Sequence, residues 1–251
     1  MTRTRWEIVV VLLLSYGMSA LYAVVNIVDR LTQTASLSQQ TATLNRPMAT
    51  QELFDLVYQL LGIVSGLAPV ALVLWLVWRE QKPRFGVIGL GWEPGRRNLG
   101  HELRVGVVLA AVIGIPGIGV YLGARALNLG VTVVPTALDT HWWTVPVLVL
   151  WALRAGLGEE VVVVGYLFDR LKSLGWKPWV IVATAAVLRG SYHLYQGFGG
   201  FLGNIAMGAI FGALYLWKGR LLPLIVAHVI IDSVAFLGYP LAVMWFPAVF
   251  A

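Results

Sequence analysis

Long apolar runs constrain the fold of this chain more than any other feature. A helix crosses the hydrocarbon core of a bilayer with about 20 mostly apolar residues. Hydrophobic residues make up 59% of the 251 positions and charged residues only 12%, whereas soluble domains carry about 25% charged residues. The sequence therefore predicts an all-α, polytopic bundle of transmembrane helices, with spans at residues 6–28, 53–78, 105–126, 143–168, 179–195, 200–217 and 221–237.

The runs divide the chain into three predicted parts. Residues 1–126 hold three spans and a basic loop, residues 143–240 hold the later spans, and residues 241–251 form an apolar tail. The tail is shorter than a span, so the predicted number of spans stays at seven or eight. The polar segment 32–51 is expected to be a mobile loop outside the membrane.

The basic residues predict an orientation. With the N-terminus in the cytoplasm, thirteen of the 18 Lys and Arg residues fall in inner loops, and Arg30, Arg46 and Arg125 fall in outer loops. This asymmetry satisfies the positive-inside rule. We therefore expect an integral protein of the cell (plasma) membrane with a cytoplasmic N-terminus. The lipid bilayer is then one of its expected partners.

Several functional classes are disfavoured. The chain has no cysteine, which excludes disulfides, thiolate metal sites and a cysteine nucleophile. The net charge of +6 is not interleaved with aromatic residues, so no nucleic-acid partner is expected. His101-Glu102 begins a zincin-like motif, but Val105 stands where the second His is required.

Charged and histidine side chains inside the predicted spans are the most informative residues. Ionisable groups in a bilayer are energetically expensive, so they mark functional sites. The helical rise places those on three separate helices at overlapping depths, about 10 to 21 Å from the predicted cytoplasmic ends. We therefore predict a polar cavity near the midplane, among the C-terminal helices. The residues are Arg154, Glu159, Glu160, Arg189, His193, His228 and Asp232.

The spacing of these residues indicates shared helix faces. His228 and Asp232 are four residues apart, as are Arg189 and His193, so each pair lies on one face. Glu159 and Glu160 are adjacent and are expected to point in different directions, one into the cavity and the other towards a neighbouring helix.

Two kinds of chemistry remain open for this cavity. A carboxylate beside two histidines is suited to activating water as a general base, which requires no cofactor. Alternatively, Glu159, His193 and His228 could bind zinc, because one carboxylate and two imidazoles form a common catalytic ligand set.

Three short motifs fall in order on successive apolar segments. In them the sequence resembles the CAAX protease and bacteriocin-processing (CPBP, or Abi) family of intramembrane proteases, over about residues 143–239. Val164 stands where the first motif of the family has Arg, and Arg189 stands where the second has Phe. The motifs here are Glu159-Glu160 with Gly165, Arg189 with His193, and His228 with Asp232.

The resemblance implies a role for each motif residue. Glu159 would be the base that activates water, and Glu160 would support it. His193, His228 and Asp232 would polarise the scissile carbonyl and stabilise the oxyanion. Since the family arginine is missing at Val164, we hypothesise that Arg189 supplies this charge from the next helix and pairs with Glu160.

The function that the resemblance implies is an intramembrane endopeptidase acting on a peptide or a membrane protein. The substrate, its prenylation and the oligomeric state are left open. Two alternatives remain. One is a non-catalytic membrane scaffold or immunity protein with the family fold. The other is a proton-coupled transporter, which is disfavoured because the sequence shows no inverted repeat.

Overall fold

The computed structural model describes residues 2–78, 88–90 and 98–247 of the chain. Apolar helices dominate it and sheet is almost absent, so the predicted all-α bundle is confirmed. The helices are α1 (Arg3–Leu13), α2 (Tyr16–Thr32), α3 (Glu52–Gly66), α4 (Ala68–Trp78), α5 (Leu99–Ala126), α6 (Thr144–Glu159), α7 (Leu167–Ser173), α8 (Pro178–Tyr192), α9 (Gly197–Lys218) and α10 (Leu222–Trp245).

Four helical segments of the described residues are long and apolar enough to cross a membrane: Glu52–Trp78, Leu99–Ala126, Leu194–Lys218 and Leu222–Trp245. Helices α1 and α2, bent by 51°, make a fifth if they form one span. Helix α8 has 15 residues, and α6 has 16 before it continues into a π-helical segment. The chain is thus an integral membrane protein. Seven or eight spans, the plasma membrane and the cytoplasmic N-terminus stay predictions.

Two of the predicted segments lie partly outside the described residues. The basic loop between the second and third spans falls mostly within residues 79–87 and 91–97, and the apolar tail ends in residues 248–251. The last predicted span ends at residue 237, but α10 continues to Trp245 with Pro240 inside it. Transmembrane helices tolerate such a proline because neighbouring groups satisfy the freed backbone.

The polar segment 32–51 is ordered, which corrects the prediction of a mobile loop. It contains a short 3₁₀ turn at Leu37–Gln39 and strand β1 (Thr41–Asn45). Strand β1 pairs in parallel with β2 (Thr132–Thr136), with Thr41 opposite Thr132. The pairing joins segments about 90 residues apart, so the local sequence of either segment does not predict it.

The helices that carry the predicted site pack closely through glycine. A Cβ atom on Gly156 of α6 would lie 2.8 Å from Val229 Cγ2 of α10. A Cβ atom on Gly208 of α9 would lie 3.0 Å from Ala186 Cα of α8. Small residues allow transmembrane helices to approach in this way. These contacts join α6 to α10 and α9 to α8.

Candidate active site

The two adjacent glutamates lie where the helix geometry changes. Glu159 is the last residue of α6, and Glu160 begins the π-helical segment Glu160–Tyr166, which is buried throughout. Wide π turns are rare and occur frequently at functional sites. Consecutive side chains on an α-helix diverge by about 100°, so the two carboxylates were expected to point apart. The two carboxylates nevertheless share one partner, because both reach the same guanidinium group.

Arg189 of α8 is the centre of the cluster. Its Nη2 atom lies 2.8 Å from Glu160 Oε1 and 3.2 Å from Glu159 Oε2. Its side chain is 1% exposed, and the guanidinium carbon lies 5.3 Å from the centroid of the Phe211 ring. The hypothesised pair between Arg189 and Glu160 is therefore present. One buried cation between two buried carboxylates offsets much of the cost of burying either charge.

His228 of α10 is anchored at both ring nitrogens. Its Nδ1 atom lies 2.8 Å from Glu160 Oε1 and 2.9 Å from Arg189 Nη2. Its Nε2 atom lies 3.5 Å from Asp232 Oδ2, one turn further along the same helix. An arginine nitrogen can only donate, so Nδ1 either donates to Glu160 or accepts from Arg189. In both cases the ring is fixed in place.

Glu159 has one oxygen bound to the protein and one that faces a histidine. Its Oε2 atom accepts a hydrogen bond of 2.8 Å from the Tyr192 hydroxyl, in addition to its contact with Arg189. Its Oε1 atom lies 3.8 Å from His193 Nε2, which is too far for a direct hydrogen bond. Neither ring nitrogen of His193 has a hydrogen-bond partner among the described residues. A small polar molecule between Glu159 and His193 would therefore find an acceptor and a ring nitrogen that are both available.

Tyr192 connects this centre to a cleft. Tyr192 and Tyr195 form part of the wall of a cleft of about 730 Å³ that lies along α2 and β1. The sequence indicates Tyr192 only as the neighbour of His193, for which interfacial anchoring is the simpler interpretation. The structure gives it a direct contact with Glu159. Its position beside a motif residue was the only available signal.

The zinc alternative stays a prediction, and its three suggested ligands take part in different contacts. Within residues 2–78, 88–90 and 98–247, no three His, Asp or Glu side chains are grouped so that they could hold a metal ion. Of the suggested ligands, Glu159 faces His193, whereas His228 contacts Glu160. The guanidinium of Arg189 lies between the two carboxylates, where a metal ion would otherwise balance their charge.

Arg154 is the in-span charge that does not join the cluster. Its guanidinium lies over the Trp151 ring, 5.8 Å from the centroid. It forms no ion pair with an acidic residue in the part of the chain that the structure describes. The other six predicted residues converge on one site from α6, α8 and α10, while their catalytic roles stay predictions.

A membrane-type helix bundle that buries two glutamates, an arginine and a histidine against one another defines an integral membrane protein with an enzyme-like polar centre. The model of the family described as "Type II CAAX prenyl endopeptidase Rce1-like" matches residues 141–234, which contain the whole cluster. This region, which is less than half of the chain, is similar to the Rce1-like family, and the resemblance to CAAX proteases is confirmed. No curated protein and no solved structure matches it.

Proposed function

We propose that the protein is an intramembrane endopeptidase that hydrolyses a peptide or membrane-protein substrate with a water molecule activated by Glu159. The observation that supports this proposal is that the two carboxylate oxygens of Glu159 have different surroundings. Oε2 is fixed by Tyr192 at 2.8 Å, and Oε1 faces His193, whose ring nitrogens have no hydrogen-bond partner among the described residues. A fixed carboxylate with one available oxygen is the arrangement that a general base requires.

The proposed reaction uses Glu159 twice. Oε1 takes a proton from water, and the resulting hydroxide attacks the carbonyl carbon of the scissile bond. An N–H group of His193 then donates to the developing oxyanion, because this ring has no competing partner among the described residues. When the carbon–nitrogen bond breaks, Glu159 returns its proton to the leaving amine.

The remaining cluster residues position and balance these groups. Arg189 contacts both carboxylates and keeps their charge compensated in a buried site. His228 contacts Glu160 and faces Asp232, so it links α10 to the catalytic helix. Its Nε2 atom lies 3.5 Å from Asp232 Oδ2, on a side chain that is a quarter exposed. It is therefore the second group proposed to stabilise the oxyanion.

The test is Glu159→Gln, which keeps the size of the side chain and removes the base. Membrane peptides from cells with the wild type are compared by proteomics with those from cells with the variant. We expect the cleavage products to disappear while the amount of folded protein is unchanged, and we expect the same for His193→Ala.

Glu52→Gln is the matched control. It is an isosteric change at an exposed carboxylate that accepts a hydrogen bond from Trp143, and it should leave the products unchanged. Full activity of Glu159→Gln would refute the assignment. Binding of a partner protein that persists in Glu159→Gln, with no cleavage in the wild type, would instead favour the scaffold or immunity protein.

A further inference from the structure

The cleft beside the proposed active site is cationic. Its wall contains Arg30 of α2 and Arg46, which follows β1, and none of the described residues that line it is acidic. It also contains Tyr192, whose hydroxyl donates to Glu159. These two arginines are two of the three basic residues that the sequence places in outer loops. Tyr192 is therefore part of the wall of a cleft that contains two cations, and it also contacts the proposed base, Glu159.

Arg30 is held only by neutral groups. Its Nε atom donates to Asn26 Oδ1 at 2.8 Å, Nη1 donates to Gln40 Oε1 at 3.2 Å, and Nη2 donates to the Thr41 carbonyl at 3.2 Å. Gln40 in turn donates to the Arg30 carbonyl at 3.0 Å. These bonds fix the direction of the guanidinium, and no acidic side chain in the described part of the chain forms an ion pair with it.

Buried polar side chains hold the backbone at Arg46 in place through hydrogen bonds. Its carbonyl accepts a hydrogen bond of 3.0 Å from Gln59 Nε2, and the Met48 N–H group donates to Asp55 Oδ1 at 2.8 Å. Gln59 is 1% exposed and Asp55 is 4% exposed, and Gln59 also donates to Asp55. The side chain of Arg46 is exposed and forms no ion pair with the residues that the structure describes. The backbone is thus held in place while the cation remains available.

We propose that this cleft binds a carboxylate of the peptide substrate, either the C-terminal carboxylate or that of an Asp or Glu side chain, through Arg30 and Arg46. The proposal rests on the proposed function, since it describes how the same site would hold its substrate. Guanidinium groups match carboxylates in geometry and form strong charge-assisted hydrogen bonds with them. Because Tyr192 belongs to both the cleft and the Glu159 environment, a substrate anchored here has its chain beside the proposed base.

The experiment measures binding to the full-length Glu159→Gln protein in a neutral detergent, so that it does not depend on hydrolysis. The probes are three dansyl-labelled apolar decapeptides. One has a free C-terminus and no acidic side chain, one is its C-terminal amide, and one is an amide with a single internal Glu. The first and third should bind, and the second should bind at least about tenfold more weakly, because it lacks the charged partner. A preference between the first and third identifies the source of the carboxylate.

Arg46→Gln is the decisive variant, because only the backbone of Arg46 is used in the fold. It should weaken binding of the carboxylate peptides by about tenfold or more and leave binding of the amide unchanged. Arg104→Gln is the matched control. It removes an exposed arginine of α5 whose side chain donates to Gly100, and binding should not change.

Three results would overturn the proposal: equal binding of the amide and the acids, no saturable binding of any probe, or no effect of Arg46→Gln. Competition by phosphatidylglycerol micelles, with equal binding of all three peptides, would identify a lipid headgroup as the ligand instead. If the wild type fails to cleave any substrate while carboxylate-selective binding persists, the endopeptidase proposal fails and the binding site stands.

Discussion

Arg189→Met is expected to lower the free energy of unfolding by about 3 to 5 kcal/mol. Arg189 is 1% exposed, and its Nη2 atom lies 2.8 Å from Glu160 Oε1, which belongs to a side chain with no exposed surface. Removing one partner of a buried pair leaves an uncompensated charge, which costs about this amount. Methionine keeps an unbranched apolar stem of similar length, so the change removes the charge with little loss of packing.

A second substitution separates the charge effect from the packing effect. In Arg189→Met with Glu160→Gln, neither member of the closest pair is charged, and the double variant should be more stable than the sum of the single changes predicts. We expect a coupling energy of about 2 to 3 kcal/mol, near the upper end for residues in contact. Part of the cost remains because Glu159, 3.2 Å from Arg189, also loses its cation.

The measurement is denaturant unfolding in detergent micelles, followed by tryptophan fluorescence and circular dichroism. Arg154→Met is the control, since Arg154 also lies within a predicted span but forms no ion pair with a described acidic residue. Its effect should add to that of Glu160→Gln within about 0.5 kcal/mol. A coupling energy below about 0.5 kcal/mol for Arg189 and Glu160 would show that the pair does not carry the charge balance.

Three further predictions concern activity. Arg189→Phe should reduce cleavage. Adding Val164→Arg to this variant returns the charge to the position usual in the family and should restore part of the activity. A double variant that is no more active than Arg189→Phe would contradict compensation between the two positions. Tyr192→Phe removes the donor to Glu159 Oε2 and should lower kcat/KM by about tenfold or more, because hydrogen bonds to charged groups contribute about 1.5 to 3 kcal/mol; unchanged kinetics would exclude this positioning role. Treatment with 1,10-phenanthroline should leave cleavage intact, and a loss that added zinc reverses would contradict the metal-independent reaction.

The in-span charges were predictable from the sequence for a physical reason. A charge in a bilayer needs a partner, so Glu159, Glu160, Arg189 and His228 on separate helices had few stable arrangements other than a shared one. The resemblance to the family, in which an arginine stands at the position of Val164, pointed to Glu160 as the partner of Arg189. The cost of burying a charge did not show that Arg154 lies outside the cluster. Its guanidinium lies over the ring of Trp151 instead.

The finer geometry of the site was not predictable. The predicted directions of the Glu159 and Glu160 side chains assume a regular α-helix, whereas Glu160 begins a π-helical segment. Long arginine side chains also reach across helix faces, which lets a single Nη2 atom contact two carboxylates. The importance of Tyr192 depends on a distance between α6 and α8, and one-dimensional spacing contains no such distance.

The sequence by itself determined the membrane class, the order of the motifs and the residues that form the buried cluster, because hydropathy and the cost of buried charge act on each residue wherever the chain folds. Only the tertiary structure decided which atoms meet. It made Arg189 the common partner of both glutamates and placed His193 beside Glu159 with no hydrogen-bond partner among the described residues. It also paired β1 with a strand about 90 residues away. These features depend on contacts between distant segments, and such contacts exist only once the helices are packed.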